Sequence, residues 1–240
     1  MKKILCFAHR GASGHEPENT LPAVEKAIVL GADWVEVDVY AVEGELIVIH
    51  DERLERTTNG SGYVMEKSLG YLRSLDAGKG QKIPMLRELF DLAGGRIGVN
   101  VELKGPDTAA LTVSLIDQYI KDRGWHGDRF IVSSFNQREL AKVKELAPHL
   151  RAGVIIGGMH RRYTPFARRH AVYSVHPRMD LVNAGFVERA HRRGLRVFVY
   201  TVNDPRDIAK MAAMGVDGVF TDFPERILSF RSLDPIRQNP

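Results

Sequence analysis

Short apolar runs rich in Val, Ile, Phe and Tyr recur along the chain, beginning near Ile4, Trp34, Ile97, Phe130, Ala152, Ala171, Arg196 and Gly218. Amphipathic stretches lie between them. Runs this short read as strands and the stretches between as helices. Alternating β and α demands a parallel sheet, because parallel neighbours need a crossover connection. Eight such units in 240 residues match the size of a closed barrel. The open doubly wound alternative lacks its Gly-x-Gly-x-x-Gly turn after the first strand. The expected fold is therefore α/β, a (β/α)8 TIM barrel forming one domain over residues 1–240, with helices in seven connections and a last helix over Pro224–Phe230. The first helix shows the local logic. Thr20 is placed to cap it, Pro22 suits its first turn, Leu21, Val24, Ala27 and Ile28 repeat at a helical period, and Gly31 ends it.

One interval breaks the rhythm. The second and third barrel strands stand far apart, and Val39–Glu45 is too short for a helix, yet Leu46–His50 is strand-like. With Gly44 supplying turn chemistry, this reads as a hairpin excursion from the second strand. Pairing across it brings His50 opposite Val37 or Asp38. Residues 51–84, with Asn59-Gly60-Ser61-Gly62, then form a small loop-rich insertion before a helix over Met85–Ala93. Its length and position predict that it covers the barrel mouth and shapes the pocket.

Composition narrows the function classes. The chain is 44% hydrophobic and 27% charged, with one cysteine. Its longest apolar runs are too short to span a bilayer. Met1-Lys2-Lys3 before Ile4–Ala8 is too short an apolar start for a signal peptide. A lone Cys6 inside a strand excludes an internal disulfide framework, so a cytoplasmic location and a packing role for Cys6 are expected. The net charge is +4. Basic clusters at His160-Arg161-Arg162, Arg168-Arg169-His170 and Arg189–Arg196 lack interleaved aromatics or a nucleic-acid motif. Arg189, Arg192 and Arg193 read as helix-end cations, whereas Arg161 and Arg162 follow a strand end and are placed to face the site. Neither nucleic acid nor stable membrane association is expected.

The chemistry sits at strand ends, where barrels of this kind carry their active sites. His9-Arg10, Glu36 and Asp38, Glu102 and Lys104, Ser134-Phe135, Tyr200–Asn203 and Asp222 all fall there. Glu36 and Asp38, two residues apart on a strand, share a face about 7 Å apart. Burying both is costly unless a metal or a basic partner compensates them. Asn100, Glu102 and Lys104 make a polar stripe where a barrel interior normally holds Val, Ile and Leu. An internal Glu–Lys pair accounts for that stripe alone. Beside Glu36 and Asp38, a metal site accounts for it better. Three carboxylates without cysteine suit a hard cation, Mg²⁺ or Ca²⁺, with Mn²⁺ also admissible. His9 and His50 at the rim suit a general acid–base pair, and Arg10 and Lys104 suit phosphate oxygens.

His9-Arg10-Gly11, Pro17-Glu18-Asn19-Thr20, Glu36-Val37-Asp38-Val39, His50-Asp51, Glu102-Leu103-Lys104, Tyr200-Thr201-Val202-Asn203 and Thr221-Asp222-Phe223-Pro224 follow one another in the order of a known motif series. From Ile4 to about Ile227 the chain resembles the glycerophosphodiester phosphodiesterase family. Residues 51–84, opening with Arg56-Thr57-Thr58-Asn59-Gly60-Ser61-Gly62, resemble that family's inserted segment. The resemblance implies metal-dependent hydrolysis of glycerophosphodiesters to sn-glycerol 3-phosphate and an alcohol. It makes Glu36, Asp38 and Glu102 the metal ligands, His9 and His50 the acid–base pair, and Arg10 and Lys104 the phosphate contacts. Tyr200 stands where some members carry Trp and keeps an aromatic wall. Phe135 is either core or an apolar wall for the glycerol end. Glu18 and Asn19 read as helix-entry residues or as braces of the site, and Asp222 reads as the N-cap of the last helix. Competing readings are a lysophospholipase D or other lipid phosphodiesterase on the same frame, an inert glycerophosphodiester-binding protein, and a nucleic-acid phosphodiesterase.

Overall fold

The computed structural model describes residues 3–158 and 163–232; His160, Arg161 and Arg162 lie outside the described residues. Its strands are β1 (Leu5–Ala8), β2 (Trp34–Val42), β3 (Glu45–Val48), β4 (Gly98–Leu103), β5 (Phe130–Ser134), β6 (Arg151–Ile156), β7 (Ser174–Pro177), β8 (Arg196–Val199) and β9 (Gly218–Thr221). Every strand but β3 runs parallel to its neighbours, and the pairing of β1 with both β2 and β9 closes the barrel. The helices are α1 (Leu21–Val29), α2 (Leu69–Ser74), α3 (Leu86–Ala93), α4 (Thr108–Arg123), α5 (Gln137–Leu146), α6 (Tyr163–Arg169), α7 (Ala184–His191), α8 (Pro205–Ala213) and α9 (Pro224–Ser232). This is the (β/α)8 barrel that the alternation demands. The sixth barrel strand, β7, begins at Ser174 rather than near Ala171, because Ala171 adopts φ 45° in the turn that follows α6.

Alternation along each strand divides the molecule. Val99, Val101 and Leu103 pack outward with Leu89, Phe90, Ile116 and Phe130 between sheet and helices. Phe7, Ile131, Phe198 and Phe220 fill the barrel interior. Several helices start on side-chain caps: Asn136 accepts from Arg138 N, Asn183 from Phe186 N, and Asp204 from Arg206 N ahead of Pro205. Thr20 occupies the N-cap position of α1, but its hydroxyl donates to the Pro17 carbonyl at 2.6 Å instead of accepting from the helix. No described helix is long and apolar enough to cross a membrane.

The hairpin excursion is present. Glu43 and Gly44 both have positive φ, 50° and 80°, which matches the twist of the flanking strands. Val39 pairs with Val48, so the register carries His50 back to the level of Val37. Residues 51–84 close over the hairpin with a core of their own, where Leu54, Leu72 and Ile83 pack on Tyr40, Ile47 and Ile49.

Candidate active site

The barrel mouth is built from strand ends and the turns just past them. Gly11 follows β1 with φ 80°, and a Cβ there would stand 2.6 Å from Ala23, so only glycine lets this turn lie against α1. The turn presents Arg10 N to Glu36 Oε2 at 2.9 Å and leaves His9 over the cavity. Glu36 and Asp38 project from β2 and Glu102 from β4, with Asp38 in register with Glu102. Glu36 and Asp38 are almost wholly buried. The three carboxylates offer ligand atoms all within 4.8 Å of one another.

That cluster is costly as it stands. Burial, then the charges of Asp38 and Glu102, push the Glu36 carboxyl well above its ordinary range. Burial and the Asp38 charge push Glu102 up to about 7. Glu36 Oε1 and Asp38 Oδ1 are buried without a hydrogen-bond partner among the described residues. Lys104 relieves part of the repulsion, at 2.9 Å from Glu102 and 3.7 Å from Asp38, and Arg10 Nε lies 3.6 Å from Asp38. Two oxygens without hydrogen bonds among the described residues, in an all-oxygen set that repels itself, fit a divalent cation held by Glu36, Asp38 and Glu102. Asn19 holds Asp38 from below, donating Nδ2 to Oδ2 at 2.9 Å and accepting from its N–H.

Each histidine is anchored through Nδ1. His9 Nδ1 donates to Asp222 Oδ1 at 2.7 Å, and His50 Nδ1 to Asp51 Oδ1 at 2.5 Å. An ionised carboxylate only accepts, so each ring donates from Nδ1 and its other proton site is Nε2. Lys104 Nζ donates to His50 Nε2 at 3.2 Å. Burial lowers the pKa of His50 below its ordinary value. Arg56, from the insertion, donates to both Asp51 and Glu18, and Glu18 accepts from Arg10 at 2.8 Å. Those bonds from Arg56 hold Asp51 below the usual carboxylate range.

A cavity of about 200 Å³ joins His9, Arg10, His50, Glu36 and Glu102 to Phe135, Tyr200 and deeper residues. Phe135 and Tyr200 meet edge to face, 6.2 Å apart. Phe135 is 49% exposed, which makes it a wall of the mouth and not core.

Two expectations need correction. Asp222 does not cap α9. Its carboxylate accepts from His9, Ser13 and Asn203, and these bonds, working against burial, hold it at about 2. The insertion contributes no described residue to the cavity lining. It sits beside the mouth, where Lys79 reaches Glu16 and Arg56 reaches Glu18. Sequence reasoning also missed Asp51, Arg56 and Asn203 as braces, although each lies in a motif that was singled out. Glu18 and Asn19 serve as braces of the site. Cys6 is buried against Pro224, its thiol pushed up to about 12 by burial, as a packing residue would be. At the end of α7, Arg192 pairs with Glu188.

The glycerophosphoryl diester phosphodiesterase family model matches residues 9–226. A glycerophosphodiester phosphodiesterase of Caldanaerobacter subterraneus is 37% identical over 95% of this chain and 97% of its own. One from Bacillus subtilis is 33% identical over 93% and 85%. A human lysophospholipase D is 21% identical over 93% and 85%. Among solved structures, an Oleispira antarctica phosphodiesterase in complex with the product sn-glycerol-3-phosphate superposes with TM-score 0.88, at 30% identity, covering 95% of this chain and 96% of that one. With a motif order, a barrel and a mouth that all agree, the chain belongs to the glycerophosphoryl diester phosphodiesterase family.

Proposed function

We propose that this enzyme hydrolyses glycerophosphodiesters to sn-glycerol 3-phosphate and an alcohol by metal-dependent, two-histidine acid–base catalysis. The observation that carries this reading is one cavity flanked by two carboxylate-anchored imidazoles and a buried three-carboxylate cluster. Arg10 and Lys104 bind the phosphate oxygens, Arg10 aimed by Glu18 and Lys104 by Glu102. His9 Nε2 takes the proton from the attacking oxygen. His50 Nε2 gives a proton to the departing alcohol as its P–O bond breaks. With the neighbouring glycerol hydroxyl as nucleophile, the first product is a cyclic phosphate. Water then opens it with the two histidines in exchanged roles.

His50 is held neutral in the free protein by burial and by the nearby Lys104 and Arg10 charges. An arriving phosphodiester anion engages both cations and adds negative charge beside the ring, and each change raises its pKa toward the acid form. A divalent cation, Mg²⁺ or Ca²⁺ with Mn²⁺ admissible, supplies Lewis-acid polarisation of the phosphoryl group when bound. The exposed Phe135 face favours one second reading, a lysophospholipase D that seats an acyl chain there.

A screen on glycerophosphocholine, glycerophosphoethanolamine and lysophosphatidylcholine, with and without added metals, tests both. Chelation should abolish release of sn-glycerol 3-phosphate and Mg²⁺, Ca²⁺ or Mn²⁺ should restore it. Full turnover after thorough demetallation would sink the metal requirement. Turnover of lysophosphatidylcholine alone would install the second reading.

A further inference from the structure

Below the catalytic level the cavity reaches Asn100, Ser133 and His176. The interior closes one pleat earlier on the strands, with Phe7, Trp34, Ile131 and Phe198. Asn100 and His176 are each 1% exposed. Asn100 Nδ2 donates to Ser133 Oγ at 2.9 Å and His176 Nε2 meets Ser174 Oγ at 2.8 Å. Their remaining polar atoms, Asn100 Oδ1 and His176 Nδ1, have no hydrogen-bond partner among the described residues. Leaving two buried polar atoms unpaired is costly unless something that enters the cavity pairs them.

The imidazole is fitted to its place. A Cβ on Gly153 in the adjacent strand would come within 2.5 Å of His176 Nε2, so the neighbouring position is kept empty for the ring. Phe198 and Phe220 pack against it at 5.5 and 5.2 Å. Burial pushes its pKa down to about 3, so it stays neutral. Asn100 Oδ1 can only accept, while Nδ1 of a neutral ring carries the proton whenever the Ser174 hydroxyl donates to Nε2. A hydroxyl, which donates once and accepts as well, complements that pair. A charged group would meet a neutral floor between aromatic rings. The walls above the floor, Ile155 and Phe220, suit a short carbon chain.

We propose that Asn100 and His176 form a hydroxyl subsite that receives the terminal hydroxyl of the glycerol moiety and selects glycerol over shorter or deoxygenated alcohols. This rests on the phosphodiesterase reading above and adds its specificity element. The phosphate lies at the mouth between His9, His50, Arg10 and Lys104, and the carbon chain descends to the floor.

The test compares glycerophosphocholine with the phosphocholine ester of propane-1,2-diol, which keeps the hydroxyl next to the phosphate ester and lacks the terminal one. A site built to pair a hydroxyl discriminates strongly against its loss. The wild-type kcat/KM should favour the glycerol substrate by at least about a hundredfold. In H176F the glycerol substrate should slow by at least about tenfold more than the deoxy substrate, so the preference collapses; N100A, checked by thermal melting like H176F, should behave the same way and covers the case in which H176F does not fold. Competition by sn-glycerol 3-phosphate against propanediol phosphate should show the same preference without turnover. An undiminished ratio in a folded variant, or no preference in the wild type, overturns the subsite and leaves a floor satisfied by water. Failure of the metal-loaded wild type to turn over either substrate, with product discrimination intact, overturns the reaction and not the subsite.

Discussion

The proposed roles of the two histidines rest on their neighbours, and the neighbours differ. Asp222 is braced by Ser13 and Asn203, while Asp51 is held by Arg56. General acid–base steps contribute roughly 10²–10⁴-fold each, so His9→Ala and His50→Ala should each lower kcat by about that range while metal affinity stays nearly intact. A nitrophenyl leaving group needs no proton on departure. It should partly rescue His50→Ala and leave His9→Ala impaired; rescue of His9→Ala alone would exchange the roles, and wild-type turnover in both would remove the mechanism. Asp222→Asn probes the anchor itself. An amide placed to donate toward Nδ1 drives the proton to Nε2, the wrong site for a base. Turnover should fall by about 10²-fold or more with the fold unchanged, as read by kcat against near-UV circular dichroism. An active Asp222→Asn would show that the tautomer is not set by this bond.

At the scale of elements, the β2–β3 hairpin and the insertion act as one unit. The hairpin delivers His50 to the carboxylate level, and the insertion fixes it through the Arg56–Asp51 contact. The unit has its own small core, so it should open independently of the barrel. Leu72, fully buried there, is a sensitive point. Leu72→Ala should cost about 2–5 kcal/mol, felt within residues 51–84. Hydrogen exchange should show those amides losing protection while the barrel strands keep theirs, and kcat should fall as His50 loses its anchor. Uniform loss of protection across the chain would mean that insertion and barrel unfold together.

For the whole molecule, the barrel gathers more negative charge at its mouth than it can hold alone. Glu102 is pushed up to about 7 by burial and Asp38, against an ordinary value of 4.5. A proton that must leave before a cation binds makes affinity pH-dependent. Mn²⁺ affinity, measured by calorimetry, should rise by at least about tenfold per unit as pH approaches 7, with protons released on binding. The sign for stability is opposite. A carboxyl whose folded pKa is raised stabilises the metal-free fold below its ordinary pKa, and that contribution disappears as pH rises through about 7. His176, pushed down to about 3, works the other way, adding stability as pH rises toward the ordinary histidine value. The Glu102 effect is therefore read by comparison with Glu102→Gln, in which the fall in melting temperature between pH 5 and 8 should be shallower, Glu36 supplying what remains. Equal pH slopes in both proteins would refute the charge-crowding account.

Local periodicity determined the barrel. Apolar alternation and helix punctuation are short-range signals, so the strands from Trp34, Phe130, Arg196 and Gly218 and the turn at Gly44 are legible in the chain itself. So is the polar stripe from Asn100 to Lys104, because polar residues at interior positions break the pattern around them. What the sequence could not show is pairing across the closed ring. His9 and Asp222 stand 213 residues apart and meet only because β1 and β9 are neighbours. Asp222, read along the chain, looked like a helix cap for that reason. The insertion read as a lid, yet its apolar residues found the hairpin and left it beside the mouth. His176, in the short strand Ser174–Pro177, carried no signal along the chain. Its unpaired nitrogen became visible only when Gly153, Phe198 and Phe220 closed around it, since burial and hydrogen-bond satisfaction are properties of the packed molecule and not of any stretch of sequence.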